Sequence, residues 1–148
     1  MKIWKRLCIT QQDWKAGDFV SLPRVLVVDD DQESRDLLRE VLEANGYSVE
    51  AVADGQRARE ILDREGGFAV LVADLRMPNE TGLELIRHLR QQNKRHGIIL
   101  MSSFISAPER KLAKQLGAHA LLEKPFRLNE FLQTVGELAA NSPVGTSP

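Results

Sequence analysis

A chain of 148 residues is long enough for one compact domain with its own core and too short for two ordinary ones. Hydrophobic residues make up 43% and charged residues 28%, and 20 Lys+Arg against 21 Asp+Glu leave a net charge of −1, so no electrostatic footprint for nucleic acid or an anionic membrane exists. One cysteine, Cys8, excludes an intrachain disulfide and suits a reducing compartment, and no apolar stretch reaches the ~18 residues of a membrane span, so a cytoplasmic protein is expected.

Residues 1–22 show little periodicity, hold Trp4 and Trp14, and read as a weakly ordered extension. Patterning begins near Leu22-Pro23 and runs to Ala140, giving a domain over residues 23–140 and a disordered tail over 141–148. Arg24–Val28 is a short continuous apolar run, as expected for a strand buried on both faces. Gln32–Asn45 follows with Leu37, Leu38, Val41 and Leu42 at helical spacing, and Gly46 supplies a left-handed stop. Ser48–Val52 is the second strand, and Asp54 can cap a helix carrying Ala58, Ile61 and Leu62. Ala69–Ala73 is the third strand. Thr81-Gly82-Leu83-Glu84 is a capping box opening a helix with Leu85, Ile86 and Leu89 inside. Gly97–Met101 is the fourth strand, and Ser106-Ala107-Pro108-Glu109 is a second capping box, for a helix burying Leu112, Ala113 and Leu116. Ala120–Leu122 is the fifth strand, and the last helix, Leu128 to Ala140, turns Phe131, Leu132, Val135 and Leu138 inward. Five strand–helix repeats imply an α/β fold with a five-stranded parallel sheet and helices on both faces, and units of this size suit the flavodoxin-like order 2-1-3-4-5.

In such a sheet, ligands bind beyond the carboxyl ends of the strands, at the point where the strand order reverses. Asp29 and Asp30 follow the first apolar run, Asp74 follows the third, Ser102 the fourth, and Lys124 the fifth, directly before Pro125. Three acids brought together repel one another unless a cation neutralises them, and a hard divalent ion such as Mg²⁺ takes oxygen ligands while keeping several waters. One carboxylate is then available as a nucleophile, as in aspartyl-phosphate chemistry, with Lys124 a point charge and Ser102 a hydroxyl for phosphoryl oxygens. Pro125 is a candidate for a cis bond. Each residue alone has a plainer explanation, a helix cap or a turn; their convergence on one sheet edge is what argues for a site. His88, His96 and His119 have no carboxylate or cysteine at metal-ligand spacing and read as surface histidines, and Arg87, Arg90, Lys94 and Arg95 read as a basic helix end suited to the dipole.

The segments Val27-Val28-Asp29-Asp30-Asp31, Asp74-Leu75-Arg76-Met77-Pro78-Asn79-Glu80-Thr81-Gly82, Ile99-Leu100-Met101-Ser102-Ser103 and Lys124-Pro125-Phe126 occur in the order and with the gaps of a known family. Over roughly Pro23 to Ala140 the chain resembles the receiver domains of two-component response regulators. The resemblance implies that Asp74 is the phosphoacceptor, taking its phosphoryl group from a sensor histidine kinase or a histidine phosphotransfer protein. It implies that Asp30 is the principal ligand of Mg²⁺, that Asp29 binds the ion mostly through water, and that the Arg76 backbone carbonyl joins Asp74 in the coordination. Ser102 and Lys124 match the residues that bind the phosphoryl group once it arrives. Such a protein is a phosphoacceptor with self-phosphorylation and self-dephosphorylation chemistry rather than an ordinary enzyme. With eight residues after Ala140, a stand-alone receiver is expected, passing its signal to an unknown downstream protein or a phosphorelay, with a homodimer through the fourth helix, fifth strand and fifth helix as one route. Two departures stand out: Leu121 occupies a position usually aromatic and cannot report the switch as an inward-swinging ring would, and bulky Phe104 follows the switch serine. The alternatives are a receiver-like interaction module that works without phosphorylation and an aspartyl-phosphate phosphatase. The phosphatase would need a second acid where this chain has Arg76.

Overall fold

The computed structural model describes residues 22–94 and 96–141. Cys8, Trp4, Trp14, Arg95 and the segment after Asn141 lie outside the described residues. Five strands, β1 (Arg24–Val28), β2 (Ser48–Val52), β3 (Phe68–Asp74), β4 (Gly97–Ser102) and β5 (Ala120–Glu123), alternate with five helices, α1 (Gln32–Ala44), α2 (Gly55–Arg64), α3 (Gly82–Gln91), α4 (Ala107–Gln115) and α5 (Leu128–Asn141). All strand pairs are parallel, as expected from the alternation, and the order is 2-1-3-4-5, the flavodoxin-like arrangement that five units of this size suit. No helix among the described residues is long and apolar enough to cross a membrane.

Period-two alternation divides the sheet's side chains between two cores. Leu26, Val28, Leu71 and Leu100 pack on one face with Ala58, Ile61 and Leu62 of α2 and Leu85, Ile86 and Leu89 of α3. Val25, Val27, Val70 and Ile99 pack on the other with Leu38 and Leu42 of α1 and Phe131 and Val135 of α5. Central β3 and β4 are buried along their whole lengths, which is why they read as unbroken apolar runs, while edge strands β2 and β5 are short and partly exposed.

The cap signals in the sequence act as capping chemistry requires. Asp54 accepts from the Arg57 N–H, and both capping boxes close, Thr81 with Glu84 and Ser106 with Glu109. Gly117 ends α4 at φ +99°, where a side chain would be strained, and a Cβ there would also strike the Arg90 guanidinium at 2.5 Å.

Four expectations need correction. Leu37 is 46% exposed, because the α1 stripe that meets the sheet is as narrow as Leu38 and Leu42. In α4 Ala113 alone is buried, with Leu112 and Leu116 half-covered, so this helix rests lightly on the sheet. Asn141 belongs to α5 and not to the tail. His96 is not a surface residue: it is 6% exposed, its Nδ1 donates to the Phe68 carbonyl at 2.7 Å, and its buried Nε2 has no partner among the described residues. The basic stretch also does more than offset a dipole. Arg90 donates to the carbonyls of Leu116 (2.8 Å) and Gly117 (3.0 Å), closing the end of α4, and Lys94 Nζ donates to the Leu62 carbonyl near the end of α2.

Candidate functional site

Register brings the site together. Val28 pairs with Ala73, Asp74 with Met101 and Ser102 with Glu123, so the strands end side by side and the next residues emerge at one edge. Asp29, Asp30, Asp74, Ser102 and Lys124 all line one cleft of about 490 Å³, together with Asp31, Ser34, Arg76, Ser103 and Phe104. Among the described residues, Asp29, Asp30 and Asp74 are the one group of three or more potential metal ligands whose donor atoms lie within 4.8 Å of one another.

Each side chain is aimed by local structure. Asp31 caps α1 through the Ser34 N–H, and its own N–H donates to Asp29 Oδ1 at 2.9 Å. Arg35, one turn into α1, donates to the Asp29 carbonyl at 2.8 Å. Asp74 Oδ1 accepts the Arg76 N–H at 3.0 Å. After the loop through Asn79 in the left-handed region (φ 73°), which Asn tolerates, Gly82 opens α3 with its N–H on the Leu75 carbonyl. A Cβ at Gly82 would stand 2.7 Å from the Asp74 carbonyl oxygen, so only glycine lets α3 start this close to β3. The Lys124 N–H donates to the Ser102 carbonyl at 2.8 Å, fixing the end of β5 against β4, and the Lys124–Pro125 peptide is cis.

Lys124 Nζ bridges the two inner acids, 2.8 Å from Asp74 Oδ2 and 3.1 Å from Asp29 Oδ2. Asp29 is fully buried, Asp74 nearly so, Lys124 partly covered, and Asp30 exposed at the mouth. Burial pushes the Asp74 carboxyl above the usual carboxylate range, against the pull of Lys124 and the Arg76 N–H, and the neighbouring Asp29 charge adds to the push. Burial by itself would lower the Lys124 ammonium, but its hydrogen bonds to Asp74 and Asp29 outweigh it and hold the group above its ordinary value. The edge therefore holds a basic lysine between two acids, with a third acid in reach.

This donor set suits a hard cation. All three side chains offer oxygen, the cleft is open to water, and Mg²⁺ needs few protein ligands because it keeps much of its hydration shell. Ser102 is buried and lines the same cleft, with the Phe104 N–H 3.4 Å from its Oγ. Phe104 itself is 62% exposed.

One part of the site has no signal in the sequence. The Arg76 side chain, which lines the acid cleft, reaches across to α4, where Nη1 and Nη2 grip Glu109 at 2.7 and 2.8 Å and Nη2 also reaches the Phe104 carbonyl at 3.0 Å. That fork, with the Ser106 N–H, holds the Glu109 carboxyl down to about 2. The partners are 33 residues apart, beyond any local pattern.

A parallel sheet of order 2-1-3-4-5 with three acids, a serine and a lysine at its carboxyl edge is the architecture of a receiver domain. The response regulator receiver domain family matches residues 25–136, and the chain belongs to that family. Response regulator MprA of Mycobacterium leprae is 41% identical over 115 residues, which is 78% of this chain and 50% of that protein. MprA of Mycolicibacterium vanbaalenii is 41% identical over 109 residues, 74% of this chain and 47% of that protein. The chain thus spans about half the length of these relatives. Among solved structures, a response regulator receiver protein from Pseudomonas putida is similar at TM-score 0.76 and 31% identity, covering 80% of this chain and 99% of that one. Chemotaxis protein CheY4 of Vibrio cholerae is similar at TM-score 0.74 and 31% identity, with the same coverage.

Proposed function

We propose that this receiver accepts a phosphoryl group on Asp74 from the phosphohistidine of a sensor kinase or a histidine phosphotransfer protein in the cytoplasm, and passes the signal to a partner protein or a phosphorelay. The observation that carries the reading is Lys124 Nζ seated between Asp74 and Asp29, in a cleft that also holds Asp30 and Ser102. An Asp74 oxygen attacks phosphorus, the P–N bond of the donor breaks, and its electron pair returns to the imidazole, which takes up a proton. In hydrolysis, water attacks the same phosphorus, the carboxylate leaves, and inorganic phosphate is released.

Asp30, Asp29, Asp74 and the backbone carbonyl of Arg76 are the groups that would hold Mg²⁺. Bound there, the ion neutralises charge on the phosphoryl oxygens. The rest falls to side chains. Lys124 exchanges its contact with Asp74 for one with a phosphoryl oxygen, and Ser102 turns its hydroxyl onto another. The arriving group carries roughly −1.5 to −2 charges, so it biases the β4–α4 loop toward the state that contacts it best. The face built from α4, β5 and α5 then differs between the two states, and a downstream protein or a second copy of the chain reads it there.

Incubation with acetyl phosphate and Mg²⁺, followed by intact mass, tests this. One added phosphoryl group is expected, lost in Asp74→Asn and lost when EDTA replaces Mg²⁺. A parent protein that stays unmodified would overturn the reading.

A further inference from the structure

Helix α4 has little core of its own and is tied at both ends by arginines from the β3–α3 unit. It buries one residue, Ala113. Arg90 of α3 closes its C-terminal end through the Leu116 and Gly117 carbonyls. Arg76, two residues past Asp74, pins its first turn through Glu109 and the loop before it through the Phe104 carbonyl. The two holds differ in kind. Arg90 is part-buried on backbone carbonyls, whereas the Arg76 side chain is 52% exposed. An exposed ion pair adds little net stability, so this contact is easily exchanged for a better one.

A better one would arise within reach. The Arg76 N–H is already hydrogen-bonded to Asp74, and Arg76 lines the cleft with Ser102 and Lys124. A phosphoryl group offers more charge than Glu109 and equally suitable paired oxygens for a guanidinium fork. We propose that Arg76 is a two-position latch: bound to Glu109 and the Phe104 carbonyl in the resting domain, and drawn onto the phosphoryl group of Asp74 once it forms, freeing the first turn of α4. The inference rests on the phosphoacceptor reading of Asp74. It makes Arg76 a positioning residue that ties modification to a helix anchored at its far end by Arg90.

Glu109 allows a clean test because it has two jobs. Its Oε1 also accepts the Ser106 N–H at 2.9 Å in the capping box, a role that glutamine fills as well. Glu109→Gln therefore weakens the latch and keeps the cap. The readout is amide hydrogen exchange over residues 104–112, before and after acetyl phosphate with Mg²⁺, with intact mass recorded in parallel. Unmodified Glu109→Gln should exchange there roughly threefold faster than the parent, the scale of one exposed ion pair. The phosphorylated parent should reach the same rate, and phosphorylated Glu109→Gln should gain nothing further. Arg76→Gln should reproduce the fast resting exchange. Resting rates in both variants equal to the parent's, or a phosphorylated parent that keeps its resting rate, would overturn the latch alone. A parent that gains no mass would overturn the phosphoacceptor reading and the latch's second position with it.

Discussion

Lys124 shows how one side chain can stabilise an arrangement and equip it for chemistry. Asp29 and Asp74 are buried acids close together, a costly pairing, and the ammonium between them offsets the repulsion. Phe104 works at the same scale by shape. Its ring is exposed and lines the cleft that holds Asp74, so under the proposed function it is expected to hinder the approach of hydrolytic water. Phe104→Ala is expected to lose phosphate roughly threefold faster, under 1 kcal/mol of barrier, when decay of the phosphorylated mass is followed over time. Unchanged decay would show that the ring does not shield the site.

Helix α4 is an element whose position is decided at its ends. Arg90 makes three hydrogen bonds to carbonyls, on Lys94, Leu116 and Gly117, and Gly117 leaves no space for a side chain against the guanidinium. Arg90→Ala leaves part-buried carbonyls unpaired, at about 1–3 kcal/mol, and should lower Tm by about 5 °C in thermal denaturation. The loss should also quicken amide exchange in the last turn of α4. An unchanged Tm would mean that the half-covered contacts of Leu112 and Leu116 suffice to hold the helix. Helix α3 makes the contrast: Leu85, Ile86 and Leu89 are fully buried, so its place is set by packing, and it gives the Arg90 clamp a rigid base.

For the molecule as a whole, His96 sets an acid limit. A carbonyl only accepts, so Nδ1 carries the hydrogen bonded to Phe68, and protonation would add to the interior a charge and an Nε2–H without a partner among the described residues. Burial accordingly holds the His96 imidazolium below its ordinary pKa, against the pull of the Phe68 carbonyl. The unfolded chain, with its histidine near about 6.5, then binds more protons than the folded one in the window beneath that value. Stability rises with pH through this window and is lost as pH falls below it. His119, whose pKa is also lowered by burial, acts in the same direction. His96→Asn keeps a donor for Phe68 and removes the titration, so its Tm should fall less steeply than the parent's between about pH 6.5 and 5, with His119 common to both. Parallel curves would exclude His96 as the cause.

Periodicity, caps and strand-end charges are local properties, and they were legible in the chain itself. Alternating apolar runs and amphipathic stripes imposed the parallel α/β fold, because no other architecture buries both patterns at once. Asp54, Thr81 and Ser106 opened helices where their side chains could reach the third N–H. The shared edge of Asp29, Asp30, Asp74, Ser102 and Lys124 was expected from the order 2-1-3-4-5, which five units of this size suit but which the sequence does not itself display. Other features had to wait for the third dimension. Burial of His96 depends on its docking against the Phe68 carbonyl at the start of β3, exposure of Leu37 on how narrow a stripe of α1 meets the sheet, and the Arg76–Glu109 and Arg90–Gly117 contacts on where side chains from distant segments end. Those depend on packing among parts remote in sequence, and a linear pattern carries only what neighbours along the chain dictate.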